Sequence, residues 1–470
     1  MNQDELLNLS AVAAAKLMRN GDLSAETYAD VLLKRCAKLK DLNAFITIDE
    51  NAVRAAARQA DALRKSGKPL GPLHGVPMAV KDNIDVAGLP ATAGTPALAN
   101  NIPTKNASIV ERLLAAGAIV IGKANMHELA AGITTSNARF GIAHNPYNPA
   151  YVPGGSSGGT GAAVGARMAP CGLGTDTGGS NRIPPAYCGV VGFRPSTGRW
   201  SQDGLIANST TRDTAGPMAH TVEDCALMDA IVTGVSPEIP PLGHKEFRLG
   251  VPRAGFWSDL DSETARVTEA CLARLRDAGV ALVDVDAEKV FELNDRASLP
   301  IAMREHETAL AAYLLAAGSA LQPMEIFAMV ESPDVKAFLG GHVGKITDEQ
   351  YRRALDVDRP ALQAVYDDCF NSNGIDALIF PTSPVLPPRI GSGQTMTLNG
   401  KTVTTLFTVV RNTNPASIAG IPGLSLPAGM SSDGLPIGIE LDGPLNGDRR
   451  LLAIGAAIEP LLPKIPPPPC

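Results

Sequence analysis

Apolar residues recur along this chain in a pattern that predicts amphipathic helices followed by short buried strands. Helix-then-strand pairs are predicted at residues 108–116 with 118–121, 264–278 with 280–285, and 361–370 with 376–380. An apolar run over residues 76–80 ends in the charged pair Lys81-Asp82, which predicts a buried strand with Lys81 at its C-terminal end. Repeated alternation of this kind favours an α/β fold with a largely covered sheet.

Three other segments bear on how the chain is organised. The Pro-rich stretch 236–241 is typical of a connection between two halves. Residues 301–345 are rich in predicted helix, so they form either a cap over a site or ordinary packing helices. The Pro-rich end, residues 466–470, predicts a loose, extended tail. Length alone suggests about three domains, but one large α/β unit fits equally well.

Composition narrows the classes of function. The chain has 470 residues, of which 45% are hydrophobic, and this is enough for a large buried core. Its formal net charge is −7 and no block of Lys or Arg stands out, so nucleic-acid and membrane-surface binding have little electrostatic support. The acidic, polar start (MNQDE) is unlike a signal peptide, and no apolar run approaches the roughly 18 residues of a membrane span. We therefore expect a cytoplasmic protein with neither nucleic-acid nor membrane partners.

Cysteine and histidine spacing indicates neither a metal site nor a disulfide framework. The cysteines are odd in number and form no C-x-x-C pair. They are Cys36, Cys171, Cys188, Cys225, Cys271, Cys369 and Cys470. His127-Glu128 resembles the start of H-E-x-x-H, but Ala131 replaces the second histidine, so the zinc motif fails. We expect buried free thiols in a reducing compartment, with no metal and no cofactor.

Two glycine-rich serine loops, residues 153–161 (PGGSSGGTG) and 174–180 (GTDTGGS), carry the strongest chemical signal. Glycines let backbone N–H groups converge, and converging N–H groups can stabilise an oxyanion during acyl transfer. Turns or linkers are the alternative interpretation, although apolar sequence around both loops argues against a linker. Neither loop fits the P-loop or the dinucleotide-binding pattern. Residues 154–158 match G-x-S-x-G, but prolines before them disfavour the strand which that motif requires.

Lys81 is the candidate base. A lysine at the end of an apolar run is by default a surface charge, or one whose amine extends out to water. To act as a base it must lose its proton near neutral pH, far below its ordinary pKa of about 10.4. Burial can lower a lysine pKa by several units, and an apolar strand beside glycine loops would provide such an environment.

These segments together resemble the amidase signature family. The likeness is carried by residues 75–83 (GVPMAVKDN), 154–159 (GGSSGG), 174–180 (GTDTGGS) and 188–195 (CGVVGFRP). The resemblance implies an α/β fold with a mixed central β-sheet covered by helices on both faces. It further implies a single amidase domain over residues 1–465, with a signature core at about 70–225 and a cap-like segment at about 300–345, followed by the loose tail 466–470.

The resemblance also implies the roles of individual residues. Ser180 would be the nucleophile, Ser156 would relay protons after a cis Gly155–Ser156 peptide, and Lys81 would be the neutral base. Backbone N–H groups would form the oxyanion hole. They belong to Thr177, Gly178, Gly179 and Ser180. By the same resemblance, Asp176 and Arg182 are structural and hold the loop.

Two positions depart from the usual family pattern. Asn181 replaces a common Ile or Val, and Pro185 replaces a common Ala. Because both adjoin Ser180, we expect them to change the shape of the pocket for the acyl group. Residues 126–135 and 301–345 are further candidates for lining that pocket, again by resemblance.

Within the family, residues 192–201, 256–261 and 441–445 are most similar to the indole-3-acetamide hydrolases. This likeness implies cleavage of the C–N bond of small aryl or arylalkyl carboxamides through an acyl-enzyme. Alternatives are hydrolysis of acyl hydrazides or anilides, or a glutamine-amidase subunit of a tRNA-dependent amidotransferase. A non-catalytic scaffold is disfavoured because Lys81, Ser156 and Ser180 are all present. The expected partner is a small-molecule amide, and a homodimer is compatible with the sequence.

Overall fold

A mixed β-sheet of 11 strands runs through the centre of the computed structural model, which describes residues 1–469. The strands are β1 (Phe45–Thr47), β2 (Pro77–Lys81), β3 (Ile119–Ala124), β4 (Ser136–Asn137), β5 (Gly141–Ile142), β6 (Cys171–Asp176), β7 (Val191–Arg194), β8 (Thr214–Ala219), β9 (Arg248–Val251), β10 (Ala281–Asp284), β11 (Ala377–Pro381), β12 (Thr395–Leu398), β13 (Lys401–Thr404), β14 (Gly423–Met430) and β15 (Pro436–Asp442). Their order in the large sheet is β1-β3-β2-β6-β8-β7-β14-β15-β11-β9-β10, and β4-β5 and β12-β13 form separate hairpins.

Helices cover both faces of this sheet, with α7 on one face and α8, α9 and α17 on the other. The helices are α1 (Gln3–Leu7), α2 (Ala11–Asn20), α3 (Ala25–Lys38), α4 (Glu50–Lys65), α5 (Ser108–Ala115), α6 (Gly158–Gly165), α7 (Ile183–Cys188), α8 (Val222–Thr233), α9 (Ser262–Asp277), α10 (Lys289–Ala316), α11 (Pro323–Ala328), α12 (Pro333–His342), α13 (Asp348–Arg353), α14 (Arg359–Asn373), α15 (Thr405–Val409), α16 (Asn414–Ala419) and α17 (Asp448–Ile458). One sheet spans both halves of the chain, so the fold is a single α/β domain, as the resemblance implies.

The elements predicted from apolar spacing are confirmed with small shifts at their ends. The three helix-then-strand pairs are α5 with β3, α9 with β10, and α14 with β11. Residues 76–80 form most of β2, which is buried along its whole length and ends on Lys81. Parallel neighbours β3 and β6 flank β2, and this explains why its sequence is continuously apolar instead of alternating.

Helices α10 to α12 pack against the N-terminal half of the chain. Their apolar residues, among them Leu310, Ile326 and Phe327, share one cluster with Leu98 and Leu129. The helix-rich segment predicted at 301–345 therefore lies against loops at the edge of the sheet where β2 ends.

The structure also describes six of the seven cysteines and most of the Pro-rich end. The six cysteines within residues 1–469 are buried free thiols, as expected, whereas Cys470 lies outside the described residues. Residues 466–469 have no regular secondary structure, and the Tyr147 hydroxyl donates a 2.9 Å hydrogen bond to the Pro466 carbonyl. Over residues 1–469, none of the helices combines the length and the apolar character needed to cross a bilayer.

Candidate active site

Neighbouring parallel strands bring the predicted site residues to one edge of the sheet. Lys81 ends β2, and Ser180 follows four residues after β6, the strand beside it. Because parallel strands end at the same edge, their following residues lie close together. Ser156 precedes α6, which packs against both strands. The sheet therefore collects Lys81, Ser156 and Ser180 from three separate segments.

The Lys81 amine is completely buried and bonded to two hydroxyl groups. Its Nζ lies 2.8 Å from Ser156 Oγ and 2.7 Å from Thr175 Oγ1. Asn83 Nδ2 also donates to Thr175 Oγ1, at 3.2 Å, and this orients the threonine. Burial lowers the pKa of Lys81 to about 7, although the negative charges of Asp213 and Asp176 act in the opposite direction. A substantial fraction of the lysine is therefore neutral at pH 7.

Ser156 is held by its backbone as well as by Lys81. The Gly155–Ser156 peptide is cis, which confirms the expectation from the resemblance. The Ser156 carbonyl accepts a 3.0 Å hydrogen bond from the His127 N–H. A Cβ atom on Gly155 would lie 2.7 Å from the carbonyl carbon of Ile133, so only glycine fits where these two backbones meet.

Ser180 lies on the wall of a cavity and is 6% exposed. Its hydroxyl has no hydrogen-bond partner among residues 1–469, so it is free to meet a ligand. The structure therefore pairs Lys81 with Ser156 and leaves the Ser180 hydroxyl without a hydrogen bond, on the wall of the cavity.

The loop before Ser180 leaves several of its backbone N–H groups without an acceptor. Arg212 Nη2 donates to the Thr177 carbonyl at 2.8 Å, and because a trans peptide is planar the Gly178 N–H points the opposite way. No hydrogen bond within the described part of the chain occupies the N–H groups of Thr177, Gly178 or Ser180. Thr177, Gly178 and Ser180 all line the cavity.

Gly179 differs from the sequence-based expectation. Its N–H donates to Asp176 Oδ1 at 3.0 Å, and the carbonyl of the same peptide accepts from Thr413 Oγ1 at 2.7 Å. The peptide is therefore held with its donor away from the cavity, and we revise the assignment of Gly179 as an oxyanion donor. Gly179 still shapes the loop, because its φ of +129° favours glycine and a Cβ would lie 2.1 Å from Thr413 Oγ1.

Asp176 and Arg182 hold this loop through buried ion pairs. Arg182 Nε lies 3.0 Å from Asp176 Oδ2, and Arg194 Nη1 lies 2.9 Å from Asp176 Oδ1. Burial alone would raise the pKa of Asp176, but the two guanidinium groups hold it well below its usual range. Arg182 also pairs with Glu440 on β15. These contacts fit the structural role implied for Asp176 and Arg182, since all of these groups are buried away from solvent.

Asn181 and Pro185 do not line the cavity, so the expectation that they shape it is wrong. The Asn181 amide nitrogen donates to the carbonyls of Phe193 at 2.6 Å and Pro217 at 3.2 Å. Its side chain therefore points towards β7 and β8. Pro185 lies in α7, where its ring packs close to Gly192. Adjacency to Ser180 in sequence was misleading because the chain turns sharply there.

The cavity beside Ser180, hereafter the inner cavity, has a volume of about 110 Å³ and is mostly apolar. Its wall includes residues 130–133, with Met303 and His306 from α10 and Phe338 from α12, as expected for the segments 126–135 and 301–345. Sequence reasoning missed the contributions of Leu406, Asn414 and others from the C-terminal third of the chain. A second space of about 570 Å³, the outer cavity, shares residues 131–133 and Phe338 with it.

The pair His127-Glu128 connects the site to the start of α12. The buried Glu128 carboxylate accepts hydrogen bonds from the N–H groups of Glu331 and Ser332, at the start of α12. His127 Nε2 lies 3.1 Å from Asp334, while its Nδ1 accepts from the Thr135 N–H at 3.1 Å. His127 and Glu128 therefore hold the start of α12 in place and do not form a zinc site of the H-E-x-x-H type. Among residues 1–469, no three His, Cys, Asp or Glu side chains are placed to hold a metal ion.

Comparisons with known proteins agree with this geometry. The family model described as Amidase matches residues 29–452. An indoleacetamide hydrolase of Agrobacterium vitis is 42% identical over 94% of each chain. A mandelamide hydrolase of Pseudomonas putida is 41% identical over 99% of this chain and 94% of its own. A crystal structure of an amidase is 32% identical, with a TM-score of 0.85 over 97% of this chain and all of the other. The chain therefore belongs to the amidase family, the amidase signature enzymes, and it is an enzyme that hydrolyses amides.

Proposed function

We propose that this enzyme hydrolyses small aryl or arylalkyl carboxamides, such as indole-3-acetamide, through an acyl-enzyme on Ser180. The observation that carries the proposal is the buried contact of 2.8 Å between Lys81 Nζ and Ser156 Oγ, together with a Ser180 hydroxyl that lines the cavity and has no hydrogen bond of its own. A lysine whose pKa is lowered to about 7 by burial can accept a proton at neutral pH.

In the first half of the reaction, Ser180 Oγ attacks the amide carbonyl carbon. Its proton passes to Ser156 Oγ as Ser156 gives its own proton to the neutral amine of Lys81. The negative charge that develops on the carbonyl oxygen is stabilised by the N–H groups of Thr177, Gly178 and Ser180. Each donor of this kind typically lowers the barrier by about 3–4 kcal/mol.

The tetrahedral intermediate then collapses as the C–N bond breaks. Lys81 returns its proton through Ser156 to the leaving nitrogen, which departs as ammonia or an amine and leaves an ester on Ser180. Water repeats the sequence in the second half. It loses a proton through Ser156 to Lys81, attacks the ester and releases the carboxylic acid, and Ser180 regains its proton.

The aromatic acyl group is supported by the lining of the inner cavity. Leu299, Met303, Phe338, Leu406 and Val410 provide apolar contacts suited to an aromatic ring. The names of the relatives, indoleacetamide hydrolase and mandelamide hydrolase, point to the same class.

Glutamine is a poorer fit as substrate. Arg212 is a charged side chain of the inner cavity, and its guanidinium is already bonded to the carbonyls of Thr177 and Ser298 and to Asn414. Its Nη1 and Nη2 atoms already hold these three partners, which leaves only the buried Nε without a partner to meet the carboxylate of an amino acid. A solved subunit of the glutamyl-tRNA(Gln) amidotransferase from Thermotoga maritima is 27% identical with a TM-score of 0.75, less similar than the amidase structure above.

A hydrolysis panel tests this proposal. The purified chain is incubated with indole-3-acetamide, phenylacetamide, benzamide, acetanilide, an aryl hydrazide and glutamine, and the released acid is measured. We expect turnover of the primary arylacetamides above the anilide and hydrazide, and none of glutamine. Turnover of glutamine alone, or equal turnover by a Ser180→Ala variant, would refute the proposal.

A further inference from the structure

His306 stands out in the inner cavity. It lies on α10 and is only 2% exposed, yet its side chain faces the same cavity as Ser180. The ring meets Phe327 edge to face, with 5.1 Å between the ring centroids. Among residues 1–469, neither ring nitrogen of His306 has a hydrogen-bond partner.

The other buried polar side chains of this wall each make hydrogen bonds, apart from Ser180, although Arg212 Nε has no partner. Arg212 donates to two carbonyls and to Asn414, as described above. Asn414 in turn donates through Nδ2 to Asn294 Oδ1 at 2.8 Å and to Ser298 Oγ at 2.9 Å. Buried polar groups in folded proteins are nearly always paired, so the free imidazole of His306 calls for a partner that arrives with the ligand.

The imidazole is neutral in the working enzyme. Burial lowers the pKa of His306 to about 4, so at pH 7 one ring nitrogen donates and the other accepts. A neutral acceptor in an apolar cavity suits an uncharged donor on the substrate. Phe338 and Met303 line the same cavity and give it apolar surface that suits an aromatic ring.

We propose that His306 determines specificity by accepting a hydrogen bond from an uncharged donor on the acyl group, either a ring N–H or an α-hydroxyl. This inference rests on the proposed function, because it assigns the acyl group to the inner cavity. His306 does not take part in the proton transfers through Ser156. Its removal therefore changes which acyl group is preferred and leaves the chemistry at Ser180 in place.

Two matched pairs of amides isolate this contact. Indole-3-acetamide and benzothiophene-3-acetamide differ in the ring N–H, while mandelamide and phenylacetamide differ in the α-hydroxyl. The ratio of kcat/KM within each pair is measured for the wild type and for His306→Phe, with His306→Leu as a second apolar variant in case the phenylalanine does not fit. We expect the preference for the donor-bearing amide to fall about tenfold in at least one pair. The pair that responds identifies the donor.

Met303→Leu is the matched control, because it changes the shape of the same wall without changing its polarity. It should alter both members of a pair alike. A change of less than about threefold in both ratios, for the folded apolar variants, would overturn the role of His306. If the wild type hydrolyses none of the four amides, the proposed function fails instead, so the two failures are distinguishable.

Discussion

Replacing Lys81 by methionine tests whether the fold holds this lysine in its neutral form. Lys81 is fully buried, and its pKa is lowered from 10.5 to about 7. In the unfolded chain its pKa is the ordinary one. Below pH 7 the folded enzyme must therefore keep a buried ammonium. This costs about 5 kcal/mol of stability, because each pH unit between the two pKa values corresponds to about 1.4 kcal/mol.

Methionine removes this cost but also removes the hydrogen bonds to Ser156 and Thr175. Each of those bonds contributes about 1 kcal/mol. At pH 7, where half of the folded lysine is neutral, the cost is about 4 kcal/mol, so we expect Lys81→Met to be about 2 kcal/mol more stable than the wild type. Between pH 7 and 10.5 the unfolded chain holds a proton that the folded chain has lost, so rising pH stabilises the wild type by about 1.4 kcal/mol per pH unit relative to the variant.

Urea unfolding of both proteins at intervals from pH 6 to pH 10 measures this difference. Lys401→Met is the matched control, because Lys401 is exposed and its replacement should leave the difference flat across the range. If Lys81→Met is less stable than the wild type at pH 7, and the gap does not change with pH, Lys81 is charged in the folded state. That result would refute the assignment of Lys81 as a neutral base.

Three further predictions concern the surroundings of the site. Thr175→Val removes an acceptor of the Lys81 ammonium, which lowers the pKa of Lys81 further and loosens its position. We expect kcat/KM to fall roughly 10- to 100-fold and the half-maximal point of the pH–rate profile to shift to lower pH, with the circular dichroism spectrum unchanged. Glu128→Gln weakens the charged acceptor of the first turn of α12 and should cost about 1–3 kcal/mol, seen as a lower Tm and faster amide exchange in that helix. Asn181→Ala should cost about 1–3 kcal/mol through unpaired carbonyls but leave the order of substrates in the hydrolysis panel unchanged; a new order would contradict its placement outside the cavity.

Elements of the fold were predictable from the sequence where their pattern of apolar residues matches their burial in the structure. The strand that carries Lys81 is continuously apolar because parallel strands and helices cover it. Central strands such as β6 and β8 were not predicted, since their glycines and Pro217 have low strand propensity. In β6 the glycines are needed, because a Cβ on Gly172 would lie 2.7 Å from Thr160.

The candidate site was predictable where short motifs carry it and not where distant segments meet. Three motifs supplied Lys81, Ser156 and Ser180, and the structure brings their segments to one edge of the sheet. The direction of the Gly179 N–H depends on contacts of its peptide with Asp176 and Thr413, and the sequence does not show that these residues meet in the fold. The position of His306 likewise depends on how α10 packs across the inner cavity, and no local pattern records this.

The most direct test of the account is to locate the acyl group on the enzyme during turnover. The enzyme is mixed with indole-3-acetamide, quenched in acid within one turnover, digested and analysed by peptide mass spectrometry. We predict that the peptide containing Ser180 gains the mass of the indoleacetyl group less one hydrogen, and that Ser180→Ala gains none. An adduct on a different residue, or turnover by Ser180→Ala at the wild-type rate, would contradict the assignment of Ser180 as the nucleophile.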